Sequence, residues 1–216
     1  MLCISGCGCA ILLLVSGVFG QTPAPVSTNK SVVFLGDSLT AGYGVKQAEA
    51  FPALIAEKIR AAQLPYDLEN AGVSGDTTAG GLRRIDWLLQ RKIDVLLIEL
   101  GGNDGLRGLP VSATTANLQA IIDKARAKNP EVKLVIAGMQ MPPNLGADYA
   151  GDFQRAFGEV ARRNNATLIP FLLEGVGGIR ELNQPDLIHP TAAGHRMIAE
   201  VVWKTLEPVL RAGVSE

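Results

Sequence analysis

Residues 31–38 read Ser-Val-Val-Phe-Leu-Gly-Asp-Ser. The run from Val32 to Leu35 is β-branched, aromatic or aliphatic, and a glycine ends it, which is typical of a strand buried on both faces. Nearly continuous apolar runs of the same kind occupy residues 94–100 and 133–137, and residues 66–70 and 167–171 are weaker candidates. The chain therefore has about five candidate strands.

Segments of helical period lie between these strands. Apolar residues recur three and four positions apart, with charges between them, in residues 54–64, 82–91, 113–128 and 153–163, and residues 192–210 close the chain likewise. Strands that alternate with helices predict a parallel sheet with right-handed crossovers. We therefore expect an α/β fold, a single-domain three-layer α/β/α sandwich around a parallel sheet of about five strands.

Polar, glycine-rich segments follow three of the candidate strands, at residues 36–38, 72–76 and 101–104. In an open parallel sheet the ligand crevice lies beyond the carboxyl ends of the strands. The three segments are therefore expected to meet at one edge of the sheet. Short carboxylates in such turns usually accept hydrogen bonds from nearby backbone N–H groups, which is the role expected of Asp37, Asp76 and Asp104.

Composition limits the classes of function. The chain has 216 residues, 47% of them hydrophobic, which is enough for one sizeable core, and we assign residues 31–213 to a single domain. The net charge is −1, with both signs interspersed and no basic stripe. This pattern argues against a nucleic-acid partner.

The amino-terminal residues 1–20 carry no charged side chain. Their apolar run, residues 10–19, is too short to span a bilayer and is followed by small and turn-forming residues, which indicates a signal peptide. Residues 21–30, with two prolines, form a linker. All three cysteines, Cys3, Cys7 and Cys9, fall in the leader. We expect a periplasmic or secreted mature protein with no thiol, no disulfide and no stable membrane anchor.

Ser38 is a candidate nucleophile. It follows a strand and a glycine, which lets the backbone turn sharply and leaves the hydroxyl exposed at the start of a helix. Taken alone, a serine at such a place is more often a helix N-cap. As a nucleophile it needs a base, and the chain has two histidines.

The two histidines differ in their surroundings. His195 lies inside the last predicted helix, where a solvated residue is expected. His189 lies in the loop Asp186-Leu187-Ile188-His189-Pro190 before that helix. Asp186 can reach one ring nitrogen and leave the other free to take the Ser38 proton. The alternative is a loop histidine packed by its neighbours.

Acyl transfer also needs donors for an oxyanion. The candidates are the backbone N–H of Gly75, the side-chain amide of Asn103 and the backbone N–H of Ser38. For Gly75, a simple turn glycine is the alternative, and its spacing in the sequence does not separate the two roles.

Four sequence blocks together resemble a known family. Gly36-Asp37-Ser38-Leu39, the segment around Gly75, Gly101-Gly102-Asn103-Asp104 and Asp186-Leu187-Ile188-His189-Pro190 are similar, in order, to the four blocks of the SGNH, or GDSL, hydrolases. Residues 101–108 further resemble the bacterial periplasmic branch known as thioesterase I, lysophospholipase and arylesterase. The similarity runs from about Val32 to the final helix.

The resemblance implies a flavodoxin-like SGNH hydrolase fold and a role for each matched residue. Ser38 would be the nucleophile, His189 the general base and then acid, and Asp186 the partner that orients it. Ser38, Gly75 and Asn103 would form the oxyanion hole. The family works without a metal or cofactor, so neither is expected here. In the resembling branch the loops after the third and fourth strands contact the acyl group, which makes Leu109 and Met141 candidate lining residues.

The expected activity is that of a serine esterase acting on a small acyl ester, thioester or lysophospholipid, as a monomer. Three alternatives remain open at this point. A carbohydrate-ester deacetylase of the same family would keep the chemistry and change the substrate. A metal-dependent phosphoesterase would use Gly36-Asp37 and Asn103-Asp104, but such sites usually contain more histidines than this chain has. A non-catalytic binding protein on the same fold is the third.

Overall fold

A computed structural model describes residues 29–142 and 145–214 of the chain. Its five strands form one parallel sheet, which confirms the predicted fold class. The strands are β1 Lys30–Gly36, β2 Tyr66–Gly72, β3 Val95–Glu99, β4 Lys133–Ala137 and β5 Thr167–Ile169. The predicted leader, residues 1–20, and residues 21–28 of the predicted linker lie outside the described residues.

The helices pack in two groups, α2 against α7, and α5 against both α3 and α6. The helices are α1 Ser38–Ala41, α2 Phe51–Ala61, α3 Thr78–Leu88, α4 Gly102–Leu106, α5 Val111–Lys128, α6 Ala147–Arg163 and α7 Ala192–Val214. None of the helices in the described ranges is long and apolar enough to cross a membrane.

Strand order places the carboxyl ends of β1 and β3 side by side. The order is β2-β1-β3-β4-β5, so β1 pairs with β2 on one side and with β3 on the other, and Gly36 lies opposite Glu99. The chain winds in opposite directions from this point, which opens a crevice beyond the strand ends. Residues 32–35 of β1 and all of β3 are buried, as their continuous apolar runs predict.

Helix boundaries depart from the predicted ones mainly at the amino-terminal turns. We predict a helix from residue 153, whereas α6 begins at Ala147, and its first four residues are exposed or half-buried. An exposed first turn has no apolar spacing to detect. At the other end of the chain, α7 continues past Pro208 to Val214, beyond the predicted end at residue 210.

His195 is buried, and the expectation of a solvated helix residue is wrong. Its imidazole is 0% exposed, and its Nδ1 accepts a hydrogen bond from the backbone N–H of Phe51 at 3.3 Å. The residue shares the buried face of α7 with Ile198 and Val202, which lie three and seven positions further on. This face packs against α2, so burial lowers the pKa of His195 to about 4.

Candidate active site

Three side chains from two distant parts of the chain meet beyond the carboxyl ends of the strands. The Nε2 atom of His189 lies 2.9 Å from Ser38 Oγ, and its Nδ1 lies 2.7 Å from Asp186 Oδ2. The separation of Ser38 and His189 in sequence is 151 residues. The arrangement is a serine, an imidazole and a carboxylate in line, with hydrogen-bond distances at both steps.

Ser38 is the first residue of α1, and Asp37, not Ser38, caps that helix. The Oδ1 atom of Asp37 accepts a hydrogen bond from the backbone N–H of Leu39 at 3.0 Å. The alternative role of Ser38 as an N-cap is therefore filled by its neighbour. Gly36 precedes the turn, and a Cβ atom there would overlap the side chains of Thr40 and Glu99. The turn is thus tightly packed from beneath.

Asp186 is fixed by its own loop. Its Oδ1 accepts hydrogen bonds from the backbone N–H groups of Ile188 at 2.9 Å and His189 at 3.0 Å, which leaves Oδ2 for the imidazole. These hydrogen bonds lower the pKa of Asp186 to about 2. Leu187, between the two catalytic candidates, has a φ of 59°, in the left-handed region that few non-glycine residues adopt. The loop therefore presents a charged carboxylate to the ring.

Two further residues that the sequence did not indicate hold the His189 loop in place. The Tyr43 ring lies against the imidazole of His189, with centroids 4.6 Å apart. The side-chain amide of Gln184 donates to the carbonyl of Tyr43 at 2.7 Å and to that of Pro190 at 3.1 Å. The backbone N–H of Gln184 also donates to the carbonyl of His189 at 2.7 Å. Gln184 thereby joins the loop after α1 to the His189 loop.

The predicted oxyanion donors differ in their hydrogen-bond partners and in their position relative to the cavity. Asn103, in α4, donates through Nδ2 to Asp37 Oδ2 at 3.0 Å and to the carbonyl of Asp76 at 2.9 Å. Gly75 is an exposed turn residue with a φ of 81°, and its carbonyl accepts a hydrogen bond from Arg107 at 3.0 Å. Ser38 and Asn103 line one cavity, whereas Gly75 lies outside the lining.

A cavity of about 600 Å³ opens beside Ser38 and His189. Apolar side chains form most of its wall, and they come from α1, from α4, from the loops after β4 and β5, and from the His189 loop. They are Leu39, Leu106, Met139, Met141, Pro142, Phe171, Leu173, Leu187 and Ile188. A cavity of this volume suits a small ligand with an apolar part.

Of the two predicted lining residues, one lines the cavity and the other does not. Met141 lies on the cavity wall. Leu109 lies apart from the lining residues, and its carbonyl accepts a hydrogen bond from Tyr149 at 2.8 Å. Sequence reasoning missed the contribution of residues 171–178, although a loop after β5 also emerges at the carboxyl edge of the sheet, which is the signal that identifies it.

Buried charge lies directly beneath the site. Burial raises the pKa of Asp37 to about 6, against the opposing effect of its hydrogen bonds with the Leu39 N–H, the Glu99 carboxyl group and the Asn103 amide. Among the side chains of residues 29–142 and 145–214, no group of three His, Cys, Asp or Glu is arranged to hold a metal ion.

Comparison with known proteins agrees with this geometry. Residues 34–197 match the GDSL-like Lipase/Acylhydrolase family. Esterase TesA of Pseudomonas aeruginosa is 40% identical over 210 residues, which cover 97% of this chain and 98% of the relative. Thioesterase 1/protease 1/lysophospholipase L1 of Escherichia coli K12 is 36% identical over 181 residues, which cover 83% of this chain and 85% of the relative.

A solved structure shows the same fold. The esterase EstA from Pseudoalteromonas sp., inhibited by monoethylphosphonate, has 35% sequence identity and a TM-score of 0.79, over 85% of this chain and all of that chain. The family match runs from the carboxyl end of β1 through the turn at Ser38 and the loop at His189, and TesA aligns with 97% of this chain. The protein belongs to the GDSL-like lipase/acylhydrolase family, also known as the SGNH hydrolases.

Proposed function

We propose that this protein hydrolyses carboxylic esters and thioesters of acyl groups through an acyl-enzyme formed on Ser38. One observation carries the proposal: the imidazole of His189 lies within hydrogen-bond distance of both Ser38 Oγ and Asp186 Oδ2, beside an apolar cavity. An activated serine next to a pocket for an apolar group is what acyl transfer requires. The names of the relatives, an esterase and a thioesterase/lysophospholipase, support the same chemistry.

The reaction proceeds in two halves. As Ser38 Oγ attacks the carbonyl carbon, His189 Nε2 accepts the hydroxyl proton, and Asp186 stabilises the resulting imidazolium. The tetrahedral intermediate then expels the alcohol or thiol, which takes the proton from His189. Water, deprotonated by the same imidazole, attacks the acyl-enzyme. The second tetrahedral intermediate releases the acid and expels Ser38 Oγ, which takes the proton back from His189. The proton therefore moves only between the nucleophile, the imidazole and the leaving group.

The oxyanion is held by the backbone N–H groups of Ser38 and Gly75 and by the Asn103 amide. In the structure Asn103 Nδ2 donates to Asp37 and to the carbonyl of Asp76, so one of these N–H groups must be shared with the oxyanion in the transition state. Asp37 aligns the amide beside Ser38 before substrate arrives. Preorganised donors of this kind act in the transition state without further reorganisation.

The apolar cavity holds the acyl chain. Burial of one methylene is favourable by about 0.8 kcal/mol, so kcat/KM rises with chain length until the cavity is full. Met141 belongs to this wall, whereas Leu109 lies outside it. An acetyl group fills little of a cavity of about 600 Å³, which favours an acyl esterase over a carbohydrate deacetylase.

The remaining expectations concern the whole polypeptide. Residues 1–20 act as a signal peptide, residues 21–30 form a linker, and residues 31–213 form the hydrolase domain. The mature protein is a periplasmic or secreted monomer that acts without a cofactor. The charge-free apolar leader and the even distribution of charge support these proposals.

Hydrolysis of p-nitrophenyl esters from acetate to palmitate tests the function. The mature protein should hydrolyse the series with or without a strong chelator, and Ser38→Ala should lose at least about 1,000-fold in kcat. Ser112→Ala, an exposed serine in α5, is the matched control and should keep full activity. Full activity in Ser38→Ala would overturn the proposal, and loss of activity with the chelator would reopen the metal-dependent alternative.

A further inference from the structure

Glu99, the last residue of β3, is a fully buried carboxyl group directly beneath the Ser38 turn. Its side chain is 0% exposed, and it lies opposite Gly36 in the β1–β3 register. A charged side chain is rarely this buried unless it has partners or a function. Glu99 does not touch the cavity, so the mechanism described above makes no use of it.

The Glu99 carboxyl holds the residues on both sides of Ser38. Its Oε2 atom accepts hydrogen bonds from the Thr40 hydroxyl at 2.6 Å, the backbone N–H of Asp37 at 3.2 Å and the backbone N–H of Thr40 at 3.3 Å. Asp37 precedes Ser38, and Thr40 follows it by two positions. One oxygen atom thus fixes the backbone before and after the nucleophile.

The same contacts reach the Asn103 amide through Asp37. While the backbone of Asp37 donates to Glu99, its carboxylate accepts from the N–H of Leu39 at 3.0 Å and from Asn103 Nδ2 at 3.0 Å. Glu99 therefore supports a continuous set of hydrogen bonds that ends at the proposed oxyanion donor. Movement of Asp37 would displace Ser38 and Asn103 together.

The two buried carboxyl groups differ in their partners. Each oxygen of the Asp37 carboxylate accepts a hydrogen bond from an N–H donor, which suits an anion. The Oε1 atom of Glu99 is buried and has no hydrogen-bond partner within the described residues. Ionisation would add negative charge to a carboxyl group with one unpartnered oxygen, beside the Asp37 carboxylate, and a buried unpaired charge costs far more than a buried neutral acid. Burial and the nearby charge of Asp37 raise the pKa of Glu99 well above its ordinary value.

We infer that Glu99 is a positioning residue for the hydrolysis, and that as a neutral carboxylic acid it holds the Ser38 turn and the Asn103 amide in their reactive places. The inference rests on the proposed function, because it takes Ser38 as the nucleophile. Glu99 acts through Asp37 and Thr40 and does not itself touch substrate.

Two substitutions at Glu99 distinguish the effect of its hydrogen bonds on kcat from the effects of its shape and charge. Glu99→Gln keeps an acceptor oxygen for Thr40 and Asp37 and replaces the acid O–H with an amide N–H, so kcat should stay within about threefold of wild type. Glu99→Leu leaves three donors without an acceptor, and kcat for p-nitrophenyl acetate should fall roughly 10- to 100-fold while KM stays within about twofold. Phosphonylation of Ser38 by an alkyl phosphonate ester should slow by the same factor as kcat.

Val160→Ala is the matched control for lost stability, because Val160 is buried in α6, away from the site. It should lower the unfolding temperature and leave kcat and phosphonylation unchanged. If Glu99→Leu does not fold, Thr40→Val removes one hydrogen bond to Glu99 and should lower kcat about threefold at constant KM, while Thr40→Ser restores it.

The inference is overturned if Glu99→Leu, or in its absence Thr40→Val, keeps the wild-type kcat and phosphonylation rate. It is also overturned if Glu99→Gln loses as much as Glu99→Leu, because the anion would then be required. Ser38→Ala measured beside these variants tests the proposed function separately. Turnover at the wild-type rate in that variant contradicts the nucleophile assignment whatever Glu99 does.

Discussion

Asp186 uses its two carboxylate oxygens for different tasks. One accepts hydrogen bonds from the backbone of its own loop, and the other accepts from His189 Nδ1. The second contact fixes the imidazole tautomer in which Nε2 faces Ser38 as an acceptor. At the scale of single residues, the site therefore depends on which nitrogen of one ring carries the proton.

Replacement of Asp186 by asparagine tests this tautomer. An asparagine amide can donate to Nδ1 and so favours the tautomer with the proton on Nε2, which cannot accept from Ser38. We expect kcat to fall roughly 100- to 10,000-fold with little change in unfolding temperature. Asp152→Asn, an exposed carboxylate in α6, is the control and should retain wild-type kcat. A change below about twofold for Asp186→Asn would contradict the assignment.

Because of His195, we expect the unfolding free energy to depend on pH. Its pKa is about 4 in the folded protein, below its ordinary value of 6.5, because burial disfavours the imidazolium. The unfolded chain therefore takes up the proton first, and the stabilisation is complete above pH 6.5 and lost as pH falls towards about 4. The loss from this group reaches up to about 3 kcal/mol.

His195→Asn isolates this contribution. The asparagine Oδ1 can replace Nδ1 as the acceptor for the Phe51 N–H, but it does not titrate. Urea unfolding of both proteins at pH 7 and pH 4.5 should show a smaller loss of unfolding free energy in the variant. Equal losses in the two proteins would show that His195 does not couple to pH.

At the scale of elements, the site is built from the loops that follow β1 and β3 and from the loop that precedes α7. The sequence predicts the strands, because strands buried on both faces are continuous apolar runs. It also predicts Ser38, Asp186 and His189, because each belongs to a short local motif. Their proximity is a matter of topology, since a parallel sheet brings its carboxyl ends to one edge.

The sequence does not predict the contacts between distant loops. Gln184 and Tyr43 are 141 residues apart, and neither belongs to a periodic pattern or a short motif. The helices α1 and α4 span four and five residues, too few to show a helical period. Glu99 stands inside an apolar run, which is a signal of unusual burial, but only the structure shows its partners.

Gln184→Ala tests the joint between the Tyr43 loop and the His189 loop. The substitution removes the hydrogen bonds to the carbonyls of Tyr43 and Pro190, so the imidazole is held less firmly. We expect kcat for p-nitrophenyl acetate to fall roughly 3- to 10-fold with KM nearly unchanged. Gln119→Ala, which removes side-chain hydrogen bonds in α5, is the control and should not affect kcat.

Gly44→Ala should also lower kcat with KM nearly unchanged. The φ of Gly44 is 78°, and a Cβ atom at this position would overlap the Gln184 amide. If Gln184→Ala lowered kcat no more than Gln119→Ala does, the joint would have no role in catalysis.

At the scale of the whole molecule, one sheet both forms the core and places the site. Because β1 pairs with β2 on one side and β3 on the other, the loops after β1 and β3 diverge and leave room for a cavity. We expect chain-length preference to depend on the loops after β4 and β5, which supply Met139, Met141, Phe171 and Leu173 to the wall. The sequence predicted the first of these loops as a wall and missed the second.

Leu173→Trp tests whether this cavity holds the acyl chain. The larger side chain fills space on the wall, so kcat/KM for p-nitrophenyl octanoate should fall roughly 10- to 100-fold, while the value for the acetate stays within about threefold. Met197→Trp, an exposed position in α7 outside the cavity, should change neither value. Equal losses on both esters would place the acyl chain elsewhere.

The most direct measurement is the mass of the protein, before and after peptide mapping, following reaction with an alkyl phosphonate p-nitrophenyl ester. The account predicts one phosphonyl adduct per chain, located on Ser38, formed much more slowly in His189→Asn and absent from Ser38→Ala. An adduct on another residue, or no adduct in a protein that still hydrolyses esters, would contradict the assignment of Ser38 as the nucleophile.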